Sequence, residues 1–80
     1  MTINKRIEIY TSPTCHYCHM AKDFFVKNKI AYTEYDVMTD VHKRQDMIEK
    51  SGQMGVPVIV IDDQPMVGFD ENHLKSVLGL

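Results

Sequence analysis

The chain has 80 residues, 44% hydrophobic and 25% charged, which predicts one domain over residues 1–80 with no room for a second core. Nine Lys and Arg against eleven Asp and Glu leave a net charge of −2, too weak and too mixed for a nucleic-acid-binding surface. The longest apolar run, Val56 to Ile61, is far short of the roughly 18–20 residues of a membrane span, and Met1 to Glu8 has no apolar signal stretch, so a reducing cytoplasm is the expected location.

The first predicted element is a strand over Arg6–Thr11, where Ile7 and Ile9 alternate with Glu8 and Tyr10 before Ser12-Pro13 breaks the pattern. From Tyr17 the apolar positions are Tyr17, Met20, Ala21, Phe24 and Phe25. This i, i+3, i+4, i+7, i+8 set predicts an amphipathic helix that fades at Asn28-Lys29 and holds Cys18 in its first turn. Ala31–Val37, rich in Tyr and Thr, reads as a second strand. Asp40–Ser51 reads as a second helix with Val41, Met47 and Ile48 on one side, ending at Gly52. Val58–Ile61 is a continuous β-branched run, as in a strand covered on both faces. Asp62-Asp63-Gln64 is turn chemistry leading to a short strand at Pro65–Val67, which makes a hairpin. Asp70 can cap a last helix carrying Leu74, Val77 and Leu78. The order β-α-β-α-β-β-α implies an α/β domain with a four-stranded mixed sheet.

Cys15 and Cys18 are the only cysteines. A loop so short removes little entropy from the unfolded chain, so the pair is a poor structural crosslink, and in a reducing compartment it reads as catalytic or metal-binding. A thiolate is the nucleophile of disulfide exchange, and a helix N-terminus favours one through its unpaired N–H groups. Cys15 is placed for that role. Cys18, one turn inward, is placed to attack a mixed disulfide at Cys15 and release the reduced substrate.

His16, between the two, is either an imidazolium that stabilises the neighbouring thiolate and makes the disulfide more oxidising, or a plain solvent-exposed loop residue. Tyr17 either lays its ring beside the sulfur for a substrate or belongs to the apolar helix face. Pro57 heads the strongest apolar run, where its missing N–H is tolerated. If the Val56-Pro57 bond is cis and faces Cys15, the Val56 backbone is free to pair with an extended substrate. Gly68-Phe69-Asp70 combines a flexible residue, an exposed-looking aromatic and a capping acid. Asp70 is most simply a cap, yet its carboxylate also suits the ammonium of an amino-acid-like ligand end.

These residues resemble the thioredoxin superfamily, and within it a small bacterial glutaredoxin. The resemblance runs through Ile7 to Thr11, Cys15-His16-Tyr17-Cys18-His19 with Ala21-Lys22, Met47-Ile48, Ser51-Gly52, Val56-Pro57, and Gly68 with Asp70. It implies a sheet ordered 2-1-3-4, a cis Pro57 beside the dithiol, and reduction of protein disulfides or glutathione mixed disulfides by a monomer with no tightly bound cofactor. Carried over by position, Cys15 is the nucleophile, Tyr17 and Val56 contact glutathione, and Asp70 binds its γ-glutamyl end.

Four positions depart from the family pattern. His16 replaces the proline of Cys-Pro-Tyr-Cys, Ser12 stands where many glutaredoxins have lysine, Gly55 replaces the threonine of Thr-Val-Pro, and Val67-Gly68-Phe69-Asp70 departs from Gly-Gly. The Gly68-Phe69 pair is similar to redoxins that serve ribonucleotide reductase and are reduced by thioredoxin reductase, which is the alternative electron donor.

Two other classes fit parts of the sequence. Cys15 to His19 matches the Cys-x-x-Cys-His haem attachment pattern, but attachment normally follows export, and the β-rich pattern with Val56-Pro57 opposes it. A metal carrier would hold a soft ion between the two thiolates, yet such carriers usually have Met where Pro13 stands, and their order is βαββαβ. Zinc would need His16 and His19 in strained geometry. An iron-sulfur cluster bridged by Cys15 and external thiols is left open by the missing proline at His16.

Overall fold

The computed structural model describes residues 5–80. The expectation drawn from the N-terminal segment falls partly on Met1 to Asn4, outside the described residues. The elements are β1 (Ile7–Thr11), α1 (His16–Lys27), β2 (Thr33–Asp36), α2 (Val41–Ser51), β3 (Val58–Ile61), β4 (Gln64–Val67) and α3 (Glu71–Leu78). They form one four-stranded sheet in the order β2-β1-β3-β4, as the resemblance implied. β1 runs parallel to β2 and antiparallel to β3, and β3 is antiparallel to β4.

Strand alternation sorts the core into two faces. On one, Ile7, Ile9, Ile59 and Ile61 meet Ala21, Phe24 and Phe25 of α1, Ile30, and Leu74 and Leu78 of α3. On the other, Tyr10, Val58 and Val60 pack with Val37 and with Met47 of α2. Covered on both faces, β1 and β3 are buried throughout, which is why Val58–Ile61 shows no polar alternation. Glu8 points to the α2 side and is buried. Its carboxylate accepts the Tyr35 hydroxyl at 3.0 Å and lies 3.4 Å from the Arg6 guanidinium.

The helix faces differ from the sequence reading. α1 buries Cys18, Ala21, Phe24 and Phe25, while Tyr17 and Met20 are 59% and 38% exposed. The apolar stripe is rotated because Cys18 counts as one of its members and Tyr17 points away from the sheet. In α2 only Met47 is fully buried, and Val41 in the first turn is 74% exposed. The polar composition of α2 is explained by its lysines, with Lys43 Nζ 4.2 Å from the Tyr35 ring centre and Lys50 Nζ 5.9 Å from that of Tyr10. Each ammonium lies over an aromatic face, a cation–π arrangement, and Lys50 Nζ also donates to the Tyr10 hydroxyl at 3.3 Å. Asp40 caps α2, accepting the Lys43 N–H at 3.0 Å.

Gln64 is the first residue of β4 and pairs with Ile61, so the hairpin loop is the two residues Asp62 and Asp63. Both have left-handed backbones, φ 49° and 69°, the conformation whose twist matches a two-residue hairpin. Asp62 is held in place. Its Oδ1 accepts the Arg6 N–H at 2.8 Å, and its own N–H donates to the Arg6 carbonyl at 2.9 Å. Asp63 is exposed and sits where glycine is preferred. Asp63→Gly is therefore expected to stabilise the protein by about 0.5 kcal/mol, roughly 2–4 °C in Tm, because relief of the left-handed backbone outweighs glycine's added chain entropy. A melt showing no gain or a loss would refute that balance.

Candidate active site: a dithiol at the start of the first helix

β1 ends at Thr11, and a turn closed by the Cys15 N–H on the Ser12 carbonyl, at 3.2 Å, carries the chain into α1. Cys15 is the N-cap, with extended backbone (φ −83°, ψ 111°), and its Sγ accepts the Cys18 N–H at 3.1 Å. A sulfur here takes the position that Ser or Asp oxygens take at other helix starts. The His19 N–H reaches the Cys15 carbonyl at 3.3 Å, and the His19 ring Nε2 lies 3.2 Å from the Pro13 carbonyl, tying the loop to the helix.

The two thiols are free and unlike each other. Cys15 is half-buried, whereas Cys18 is fully buried. Burial pushes the Cys18 thiol from its usual 9.0 to about 12, and its hydrogen bond to Cys15 adds to the rise. The Ser12 backbone N–H and the Lys22 charge pull it the other way. Cys18 is therefore a neutral thiol at physiological pH, and Cys15 presents the accessible sulfur.

The register brings a second segment to this end of the sheet. Tyr10 pairs with Val58, so Pro57 falls beside Thr11, where β1 runs into the cysteine loop. The Val56-Pro57 bond is cis, and Val56 lies ahead of the ladder that begins at Val58. Val67 also pairs with Val58, and the Gly68 N–H donates to the Pro57 carbonyl at 2.8 Å. Gly68 has φ 81° and open space around a would-be Cβ, so its backbone angle rather than crowding calls for glycine. The cysteine loop, Val56-Pro57 and Gly68 thus share one end of the sheet.

His16 and Tyr17 are both exposed, their rings edge-on at 5.7 Å. Tyr17 is therefore not part of the core face. Phe69 is half-buried, packed edge-on against Phe24 at 6.1 Å, which corrects the exposed aromatic expected from sequence. The side chain turns from Gly68 toward α1 because Phe24 offers it an apolar surface. It lines a shallow cavity of about 220 Å³ with Met20, Asp23, Phe24, Lys27 and Glu71, and neither cysteine belongs to that cavity. Asp70 caps α3, accepting the His73 N–H at 3.1 Å.

One cluster escaped the sequence reading. Glu34 Oε2 accepts the Thr11 hydroxyl at 2.8 Å and the Lys22 ammonium at 2.9 Å. Lys22 mainly, with Thr11, holds the Glu34 carboxyl below its ordinary range, and Glu34 raises Lys22 in return. The i, i+4 spacing of Cys18 and Lys22 is visible in sequence, but Glu34 arrives only through the pairing of β2 with β1. Among the described residues no three His, Cys, Asp or Glu are grouped to hold a metal ion. Nor is any described helix long and apolar enough to cross a membrane.

Residues 7–66 match the glutaredoxin family model. The chain belongs to the glutaredoxin family. Glutaredoxin 3 of Escherichia coli K12 is 40% identical over 73 residues, covering 91% of this chain and 88% of that protein. A glutaredoxin-like 8.6 kDa protein in the rubredoxin operon of Clostridium pasteurianum is 35% identical over 72 residues, covering 90% and 96%. A crystal structure of a thioredoxin-like protein superposes with a TM-score of 0.86 at 34% identity, covering 91% of this chain and 100% of that one. This glutaredoxin has the thioredoxin fold, and its Cys15–Cys18 pair makes it a thiol-disulfide oxidoreductase.

The unequal thiols set a pH signature. Between about pH 9 and 12 the unfolded chain releases the Cys18 proton and the folded chain retains it, so stability present below 9 is lost as pH rises. Iodoacetamide at pH 8 is expected to place one adduct per native reduced chain, on Cys15, with Cys18 labelled only in denaturant. Urea titrations of the reduced protein should weaken between pH 9 and 12 by more than those of Cys18→Ala. Equal labelling of both cysteines, read by mass spectrometry, would contradict the assignment.

Proposed function

We propose that this glutaredoxin, a single cytoplasmic domain acting as a monomer, reduces protein disulfides and glutathione mixed disulfides with glutathione as electron donor. Cys15 Sγ attacks a substrate disulfide, one substrate sulfur leaves as a thiol, and a mixed disulfide remains on Cys15. The Cys18 thiol then attacks Cys15 Sγ and the second substrate sulfur leaves with a proton, closing the Cys15–Cys18 disulfide. Two glutathione thiols reopen it in the same two steps and depart as glutathione disulfide. No tightly bound cofactor takes part.

The observation that carries this reading is the asymmetry of the pair: a half-buried capping sulfur with an N–H donor 3.1 Å away, and a fully buried partner one turn inward. Tyr17, exposed beside the thiol, is assigned to the face of a bound glutathione. Val56, ahead of the ladder, offers backbone groups to its cysteinyl amide, with Pro57 and Gly68 shaping the same end of the sheet. Asp70 would take the γ-glutamyl ammonium with its carboxylate while capping α3, and Phe69 would bound the far side of the site.

A second reading has its own observation. Phe69, in the Val67-Gly68-Phe69-Asp70 stretch that departs from the Gly-Gly pattern, builds an apolar wall with Phe24 in the cavity along α1. That favours a protein partner, thioredoxin reductase as donor and ribonucleotide reductase as acceptor. Reduction rates of the oxidised protein by glutathione and by thioredoxin reductase with NADPH, under one set of conditions, separate the two. Fast reduction by glutathione is expected. Fast reduction by the reductase alone would overturn the primary reading in favour of the second.

His16, exposed and next to Cys15 in the chain, is proposed to tune the couple by favouring the reduced form. His16→Ala is then expected to lower the reduction potential by about 10–30 mV, making the disulfide less oxidising. An unchanged potential in a glutathione redox titration would reduce His16 to an exposed loop residue.

A further inference from the structure

Lys22 lies one turn beyond Cys18 on α1, a spacing that places two side chains on one helix face with Cβ atoms about 5–6 Å apart. Its ammonium is anchored. Nζ sits 2.9 Å from Glu34 Oε2, and the same oxygen accepts the Thr11 hydroxyl at 2.8 Å. Two elements, α1 and β1, therefore converge on one carboxylate oxygen of β2. Thr11 shares a strand face with Ile7 and Ile9, the face that α1 covers. The side chains of Lys22 and Glu34 are 24% and 37% exposed, so the pair lies at the edge of the core, between helix and sheet, rather than free in solvent.

The resolving step makes a demand that the Cys15 cap does not meet. Cys18 must develop negative charge on a fully buried sulfur, and burial opposes that. The groups acting on it are Cys15 from its own helix, which opposes a second negative charge, and the Ser12 backbone N–H and Lys22, which favour one. Glu34 of β2 and Tyr32 just before that strand act on Lys22, while Thr11 of β1 and His19, bonded to the Pro13 carbonyl, act on Glu34. Lys22 supplies the positive side chain of this set. It cannot accept the Cys18 proton, since Glu34 keeps it an ammonium.

We propose that Lys22, held by Glu34, is a positioning residue for the resolving half-reaction, its ammonium stabilising the charge that builds on Cys18 Sγ as Cys18 attacks the mixed disulfide on Cys15. The inference rests on the assignment of Cys15 as nucleophile and Cys18 as resolver. In the step, the Cys18 S–H bond breaks, the Cys15–Cys18 S–S bond forms, and the Cys15–substrate S–S bond breaks. The departing sulfur takes the electron pair, and the proton goes to it or to solvent. Cys18 is oxidised and the substrate sulfur is reduced.

Dithiobis(nitrobenzoate) reads the two half-reactions apart in the full-length reduced protein. The first equivalent of coloured thiolate reports attack by Cys15, and the second reports closure by Cys18. Lys22→Met is expected to slow the second phase about fivefold at pH 7, a screened Coulombic effect, and to move its pH midpoint upward. The first phase should stay within about twofold, and Lys22→Arg should restore the second. A second phase with wild-type rate and pH profile in Lys22→Met, or one as slow in Lys22→Arg as in Lys22→Met, would overturn the proposal. If circular dichroism shows Lys22→Met to be unfolded, Lys22→Gln is held to the same criteria. A wild-type protein that releases only one equivalent would instead refute Cys18 as resolver.

Discussion

β1 is paired along both edges, parallel to β2 and antiparallel to β3, and packed on both faces by helices. That double burial pins its register, because a slip of one residue would exchange Ile7 and Ile9 with Glu8 and Tyr10 across the sheet. The functional end of the molecule is built from that register. With Tyr10 opposite both Tyr35 and Val58, the strand delivers the cysteine loop next to Pro57, and β3 in turn brings Val67 and Gly68 to the same end. The cysteine loop is distant in sequence from Pro57 and Gly68, which flank one hairpin.

At that end the helix start and the chemistry use the same contact. Each helix is capped by a side chain that accepts an N–H from its first turn, Asp40 for α2, Asp70 for α3 and Cys15 for α1. The aspartates cap through carboxylate oxygens. The sulfur is also the proposed nucleophile, and the N–H that completes the helix is a donor pointed at it. One turn inward, Cys18 is enclosed by the core, and its burial keeps it a thiol. The two sulfurs thus differ in solvation, and that difference is imposed by the helix's position on the sheet.

Charge is distributed differently on the two faces. On the α2 side, lysine ammonium groups lie over Tyr10 and Tyr35, and the buried Glu8 is satisfied by Tyr35. On the α1 side, one ion pair with a hydroxyl partner joins Lys22, one helical turn beyond Cys18, to Glu34 and Thr11. The first arrangement secures a helix that has one fully buried apolar side chain. The second fixes a lysine ammonium at the edge of the core, between helix and sheet.

Several features were determined by the sequence itself because their causes are local. Alternation of Ile7 and Ile9 with Glu8 and Tyr10, the β-branched run Val58–Ile61, the capping Asp70 and the Cys15–Cys18 spacing each act within one element, and together they set the element order and the dithiol at a helix start. Tertiary structure decided what depends on distant partners. Whether Tyr17 or Cys18 faces the core depends on how α1 lies against the sheet. Phe69 folds inward because Phe24 waits on another helix, and Gln64 joins the ladder because Ile61 pairs with it. Glu34 reaches Lys22 and Thr11 through strand pairing alone. A residue's own type sets what it can do, but its burial and its partners, which set the behaviour of a thiol or an ammonium, come from chain segments that only the fold brings together.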